Sequence, residues 1–237
     1  MNLILLSEND FVSEHSVRLC GRRLQHILEV HQAQPGDKLR IGLVNGLLGE
    51  GTVSVIDGER LEMETRLHQP PPTPLSCNLL LALPRPKMLK RVLQSVTSLG
   101  VKQIYLINSY RVEKSFWGSP LLQPEKLREH LLLGLEQACD TLLPEVHLRQ
   151  RFKPFVEDEL PGLTAGTKGL VAHPAATQGF PREIAEPTTL AIGPEGGFIP
   201  YELEKLQEAG FSTASLGERI LRVETAVPVL LSRLLPT

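Results

Sequence analysis

The sequence predicts an α/β protein in two parts, a small antiparallel β-barrel followed by a larger domain with a parallel sheet. Three observations predict it. Short segments that alternate apolar and polar residues, separated by glycine turns, fill residues 37–67. A proline run at 69–74 breaks that rhythm. Beyond it, apolar strand-like runs alternate with segments of helical period, the signature of parallel α/β architecture.

In the first part, Lys38–Ile41, Thr52–Ile56 and Leu61–Leu67 read as strands, with Asn45-Gly46, Gly49, Gly51 and Asp57-Gly58 as turn chemistry. Ahead of them Gly21–Val30 carries Leu24, Ile27 and Leu28 at helical spacing, and His26 beside them reads as a helix-surface or capping residue. Gln69-Pro70-Pro71-Pro72-Thr73-Pro74 is the expected linker, since consecutive prolines offer no N–H to a sheet or helix. The expected domains are therefore 1–68 and 75–237, joined by 69–74.

In the second part the expected strands are Asn78–Leu83, Val101–Ile107, and segments around Val146, Leu170–Ala172, Leu190–Ile192 and Ser212–Leu216. The expected helices are Pro86–Leu99, with Gly100 as its stop, then Pro124–Ala138, Pro200–Ala209 and Glu224–Leu235.

With 237 residues, 41% of them hydrophobic and 22% charged, the chain can bury a substantial core. No apolar run is long enough to cross a bilayer, and Met1–Leu6 is too short and lacks the basic flank of a signal peptide, so the expected location is the cytoplasm. Cys20, Cys77 and Cys139 are scattered singly and show no metal spacing, so no metal site and no disulfide framework is expected. A formal charge of −2 argues against a protein that coats nucleic acid indiscriminately, but local basic faces exist. Arg85, Lys87, Lys90 and Arg91 gather at the start of one helix, and Arg111 and Lys114 share a loop with Phe116 and Trp117. Cations mixed with aromatics suit RNA, binding phosphates and stacking on bases.

Glycine placement bears on the ligand. No G-x-G-x-x-G follows the first strand of the second part and there is no P-loop. The glycine-rich loops follow late strands instead, at Gly193-Pro194-Glu195-Gly196-Gly197 and at Gly217, with His173-Pro174 after the strand before them. If those strands are neighbours, their loops meet at one crevice beyond the carboxyl ends of the sheet. Such a pocket of backbone amides and apolar side chains, with Glu195, Arg219, Arg222 and Glu224 in reach, suits group transfer from a cofactor that brings its own reactive atom.

Gly193-Pro194-Glu195-Gly196-Gly197-Phe198, followed by Leu216-Gly217 and Arg219-Ile220-Leu221-Arg222-Val223-Glu224-Thr225-Ala226, closely resembles the RsmE family of SPOUT methyltransferases. The resemblance implies S-adenosylmethionine as cofactor and methylation of N3 of a uridine in 16S ribosomal RNA of the small subunit, the site called m3U1498. It also implies a PUA-like RNA-binding barrel, a SPOUT-type α/β domain with a deep C-terminal trefoil knot, and a homodimer. The family's cofactor pocket falls on Leu170, Val171, Ala172 and His173, on Gly193, Pro194, Glu195, Gly196 and Gly197, and on Leu216, Gly217, Ile220, Leu221 and Arg222. The chain departs from the family pattern at Gln32, Ser98 and Asp140. Arg222, then Arg219, is the expected stabiliser of a developing uracil anion, with Glu224 as proton acceptor or as a group that orients an arginine. A SPOUT enzyme acting on a ribose hydroxyl or on transfer RNA, and a non-catalytic RNA-binding or assembly protein, are the alternatives.

Overall fold

A computed structural model of the chain describes residues 2–182 and 186–235 and divides into two units. The first comprises Met1–Thr73 together with Leu132–Leu143, and the second Pro74–Leu131 together with Pro144–Thr237.

The first unit is built on six strands: β1 (Ile4–Leu6), β2 (Phe11–Ser13), β3 (Ser16–Leu19), β4 (Lys38–Leu43), β5 (Leu48–Ile56) and β6 (Leu61–Gln69). They form one sheet in the order β1-β4-β5-β6-β3-β2. The sheet is not wholly antiparallel, as the turn signals suggested, because β1 runs parallel to β4. β6 also extends through Gln69, which pairs with Leu48, so the break in sheet structure begins at Pro70, the first residue without an N–H.

The apolar run at the start of the chain has a physical explanation in this sheet. Alternate side chains of a strand face opposite ways, and here both faces are covered. Ile4 and Leu6 join a core with Val17, Leu19, Ile41 and Met63. Leu3 and Leu5 pack instead with Leu48 and Leu135, and Leu135 belongs to the late half of a helix that the sequence assigned wholly to the second part. The short helix α1 (Gly21–His26) continues as a π-helical turn, Ile27–His31. His26 is half-buried with its ring 5.5 Å from that of His31, and its Nε2 is buried, so it is neither a surface nor a capping group.

A partly buried ion pair ties α1 to the chain start. Arg23 grips Asp10 with two hydrogen bonds, Nη2 to Oδ1 at 2.6 Å and Nη1 to Oδ2 at 2.7 Å, and also donates to the Leu5 carbonyl. Burial by itself would raise the Asp10 pKa; the Arg23 hydrogen bond and those from the Ser7 N–H and hydroxyl outweigh it and hold the carboxyl below its ordinary range.

The second unit carries β7 (Cys77–Ala82), β8 (Gln103–Ile107), β9 (Glu145–Arg149), β10 (Lys168–Ala172), β11 (Thr188–Ile192) and β12 (Ser212–Ala214). All neighbours are parallel, in the order β12-β10-β11-β7-β8-β9. Its helices are α2 (Pro86–Ser98), the first half of α3 (Pro124–Ala138), the short α4 (Phe152–Pro154) and α5 (Leu160–Thr164) with a π-helical turn between them, α6 (Pro200–Glu208) and α7 (Val223–Ser232). The chain moves outward from β7 to β9, then returns to place β11 directly beside β7, so the direction of winding reverses between those two strands. Ligands bind at such a reversal in open α/β sheets, outside the carboxyl ends of the strands.

Asp10→Ala should destabilise the protein by about 3 kcal/mol, because it leaves a partly buried guanidinium without its partner. The lowered pKa fixes the sign of the pH dependence: the contribution of Asp10 is present above its unfolded value of about 3.9 and is lost as pH falls through the lower folded value. Urea unfolding of wild type and variant should therefore differ at neutral pH and converge in strong acid.

Candidate functional site

The hydrogen-bond ladder brings three loops to one level. Ala172 of β10 is in register with Ile192 of β11 and with Ala214 of β12, so all three strands end side by side. The loops that leave them, starting at His173, Gly193 and Ser215, open onto one crevice. Its floor is Ile192, Ala214, Val223, Ala226 and Leu230, the last three from the first turns of α7.

The loops are held by their own backbone and by Ser215. The His173 N–H donates to the Ala214 carbonyl at 3.0 Å, and His173 Nδ1 accepts from the Ala175 N–H at 3.3 Å. The Ser215 hydroxyl lies within donor distance of the Pro174 and Gly217 carbonyls and accepts from the Gly217 N–H, joining the first and third loops. In the second loop the Gly197 N–H closes a turn onto the Pro194 carbonyl at 2.7 Å. Gly197 needs its left-handed φ of 72°. A Cβ on Gly193 would stand 3.0 Å from the Phe198 backbone nitrogen and 3.2 Å from its ring, so only glycine fits there without displacing the loop.

Of the expected pocket residues, the crevice brings together Ala172, His173, Gly193, Pro194, Glu195, Gly197, Leu216, Gly217, Ile220 and Leu221, with Arg219 beside them. Leu170 and Val171 are instead buried in β10, which has a strand on either side, and do not line it. Gly196 faces away, under the Arg111 side chain, whose guanidinium donates to its carbonyl. Arg222 is the N-cap residue of α7, its carbonyl accepting from the Thr225 and Ala226 N–H groups, and its exposed side chain lies outside the lining, as does Glu224. Among the described residues, neither Arg219 nor Arg222 has an ion-pair partner, Glu224 included.

The residues present fit an adenosyl group carrying a charged tail. The apolar floor accepts a flat base, and the glycine loops present peptide groups at close range. The first turn of α7 supplies backbone donors that the helix itself cannot satisfy. Among the described residues there is no cluster of His, Cys, Asp and Glu that could hold a metal ion.

Around the crevice, Glu195 lies 4.0 Å from Arg85, at the start of α2. One buried carboxylate near this face was not evident from sequence. Glu202, 2% exposed, accepts from the Tyr110 N–H at 2.7 Å, the Ser109 hydroxyl at 3.1 Å and the Ile199 N–H at 3.0 Å. It locks the loop after β8 to the entrance of α6. The signal was an acid two residues after a helix-starting proline, but Ile199 at the N-cap lacks the hydroxyl that would have marked a capping box. The Trp117 indole donates to Asn108 at 2.9 Å and holds the same loop. Arg85, Lys87, Lys90, Arg91, Arg111 and Lys114 are all exposed; Arg85 and Arg111 reach the second glycine loop, while Lys87 and Lys90 line a separate cleft.

Comparison with known proteins bears on this geometry. A family model described as RNA methyltransferase domain matches residues 71–235. The ribosomal RNA small subunit methyltransferase E of Treponema pallidum is 29% identical over 238 residues, covering 95% of this chain and 87% of that protein. A protein of Borreliella burgdorferi named ribosomal RNA small subunit methyltransferase E 1 is 24% identical, covering 95% and 94%. The crystal structure of a ribosomal RNA small subunit methyltransferase E from Neisseria gonorrhoeae bound to S-adenosyl methionine shares the fold, with a TM-score of 0.78 at 22% identity over 98% of this chain and 95% of that one.

Gly193→Ala should lower stability by about 1–3 kcal/mol, since the loop must shift to admit the methyl group. Thermal unfolding with and without S-adenosylmethionine should show a smaller ligand-induced rise in Tm for the variant than for wild type.

Proposed function

This chain belongs to the RNA methyltransferase family, within it to the RsmE group, and on that premise we propose that it methylates N3 of a uridine in 16S ribosomal RNA, at the m3U1498 site, using S-adenosylmethionine. The observation that carries the reading is the convergence of the loops after β10, β11 and β12 on one crevice with an apolar floor. When bound, the cofactor supplies an electrophilic methyl group on a sulfonium and needs no metal.

The remaining chemistry falls to this chain. A uracil N3 keeps its proton at neutral pH and is a poor nucleophile until the proton leaves. Arg219, on the crevice, and Arg222, at the N-cap of α7, carry guanidinium groups free to approach the base edge and stabilise its anion. A preorganised cation of this kind acts where charge develops. Glu224, in the first turn of α7, takes the N3 proton. His173, Ile220 and Leu221 wall the cofactor, and Arg85 and Arg111 stand where a phosphate backbone would pass over the second glycine loop.

Further features belong to the same reading. The first unit serves as a PUA-like RNA-binding barrel, and the C-terminal segment is threaded as a trefoil knot. The chain acts as a cytoplasmic homodimer on the small ribosomal subunit. Ile220, 80% exposed, and Val229 on α7 offer apolar surface for the dimer, and light scattering at twice the mass of one chain would support it.

Nucleoside mass spectrometry of ribosomal RNA from a deletion strain tests the function: 3-methyluridine should disappear and return on complementation, and an unchanged profile would overturn it. Arg222→Ala should lower kcat by about 100-fold or more at saturating cofactor. Its rate should also rise only at higher pH than that of wild type, because the uracil anion loses its stabilising charge; near-normal turnover would remove Arg222 from the mechanism.

A further inference from the structure

A second concavity of the C-terminal unit, sharing no lining residue with the cofactor crevice, lies between the start of α2, the Ser119–Leu121 turn and the first half of α3. Lys87, Lys90 and Lys126 line it together with His130; its one carboxylate, Glu129, is paired with Lys126 at 3.0 Å. Lys87 and Lys90 have no ion-pair partner among the described residues. The first turn of α2 carries no acidic residue to offset the positive end of the helix dipole. Pro86 and Pro120 stiffen two of the walls.

His130 gives this cleft its direction. The residue is only 9% exposed, costly for a polar ring unless its nitrogens are used. Gln94 Nε2 sits 3.4 Å from His130 Nδ1, and an amide N–H can only donate, so Nδ1 is the acceptor and the proton of the neutral ring is on Nε2. Among the described residues His130 Nε2 has no hydrogen-bond partner, and His130 lines the cleft. Burial lowers the His130 pKa; Glu129 opposes this while Lys90 and Lys126 reinforce it, which keeps the ring a neutral donor at physiological pH.

We propose that this cleft is a phosphodiester site for the RNA strand, in which the His130 Nε2–H donates to a phosphate oxygen that Lys87, Lys90 and Lys126 neutralise. The proposal rests on the RNA-methyltransferase reading and extends it to the path of the substrate. Arg85 heads α2 beside Glu195 of the cofactor crevice, and Lys87 and Lys90 follow on the same helix, so a strand held with its reactive base at the crevice finds its next cations along α2. A lysine-lined cleft matches the charge of a phosphate backbone.

The test is fluorescence anisotropy of a short single-stranded RNA with the full cofactor-loaded chain, measured across salt concentrations for wild type and for Lys90→Gln/Lys126→Gln. The variant should bind more weakly, and its slope of log affinity against log salt should fall by about 1.4, or about 0.7 per cation removed. Its S-adenosylmethionine-induced rise in Tm should stay as in wild type, which shows that it is folded. In parallel, the His130 ring resonances should move when the RNA is added and stay in place when a neutral-backbone analogue replaces it. An unchanged salt slope, or His130 resonances that stay still while RNA binds, would overturn the cleft. Both readouts are of binding, so they decide the cleft even where methyl transfer fails, and loss of methyl transfer or of cofactor binding in wild type would count against the methyltransferase reading alone.

Discussion

The C-terminal unit depends on the ladder that sets Ala172, Ile192 and Ala214 at one level. Parallel strands register through evenly spaced hydrogen bonds, and a slip of one residue would turn every side chain of a strand to the opposite face. Here a slip would also carry one loop away from the other two. The central position of β10, flanked by β11 and β12, makes the register common to all three loops.

A register places the loops, but separate contacts keep their shape. Ser215 bonds across from the third loop to the first, the Pro194–Gly197 turn fixes the second, and Glu202 joins the loop after β8 to the start of α6. Each contact uses backbone groups that would otherwise be left without partners near the carboxyl edge of the sheet, where unmet polar groups are costly. Rigidity bought in this way lets exposed cations such as Arg85 and Arg111 stand at defined places above the second glycine loop.

Much of this was legible in the sequence, and the reasons for the exceptions are physical. Elements of five or more residues with clear period and glycine or proline ends, such as α2, α3, β8 and β11, lie where the pattern predicts them. β1, β2 and β3 escaped because strands of three or four residues carry too few alternations to separate from a loop. The two cores that share β1 could not be foreseen, since nothing local says that Leu135 returns to the first unit. At the site, Gly193, Gly197 and Gly217 were legible because the backbone demands glycine there. Ala214, Ala226 and Leu230 were not, because an apolar pocket floor has the same composition as a core. Leu170 and Val171 show the converse: proximity in sequence to a pocket loop does not bring a buried strand residue to the pocket.

The most direct test of the shared crevice is hydrogen–deuterium exchange on the full chain with and without S-adenosylmethionine. Binding should slow exchange together in the segments following His173, Gly193 and Ser215 and in the first turn of α7, with little change in β2 and β3 of the first unit. Binding that protects some other surface, or the absence of any protection at millimolar cofactor, would contradict it.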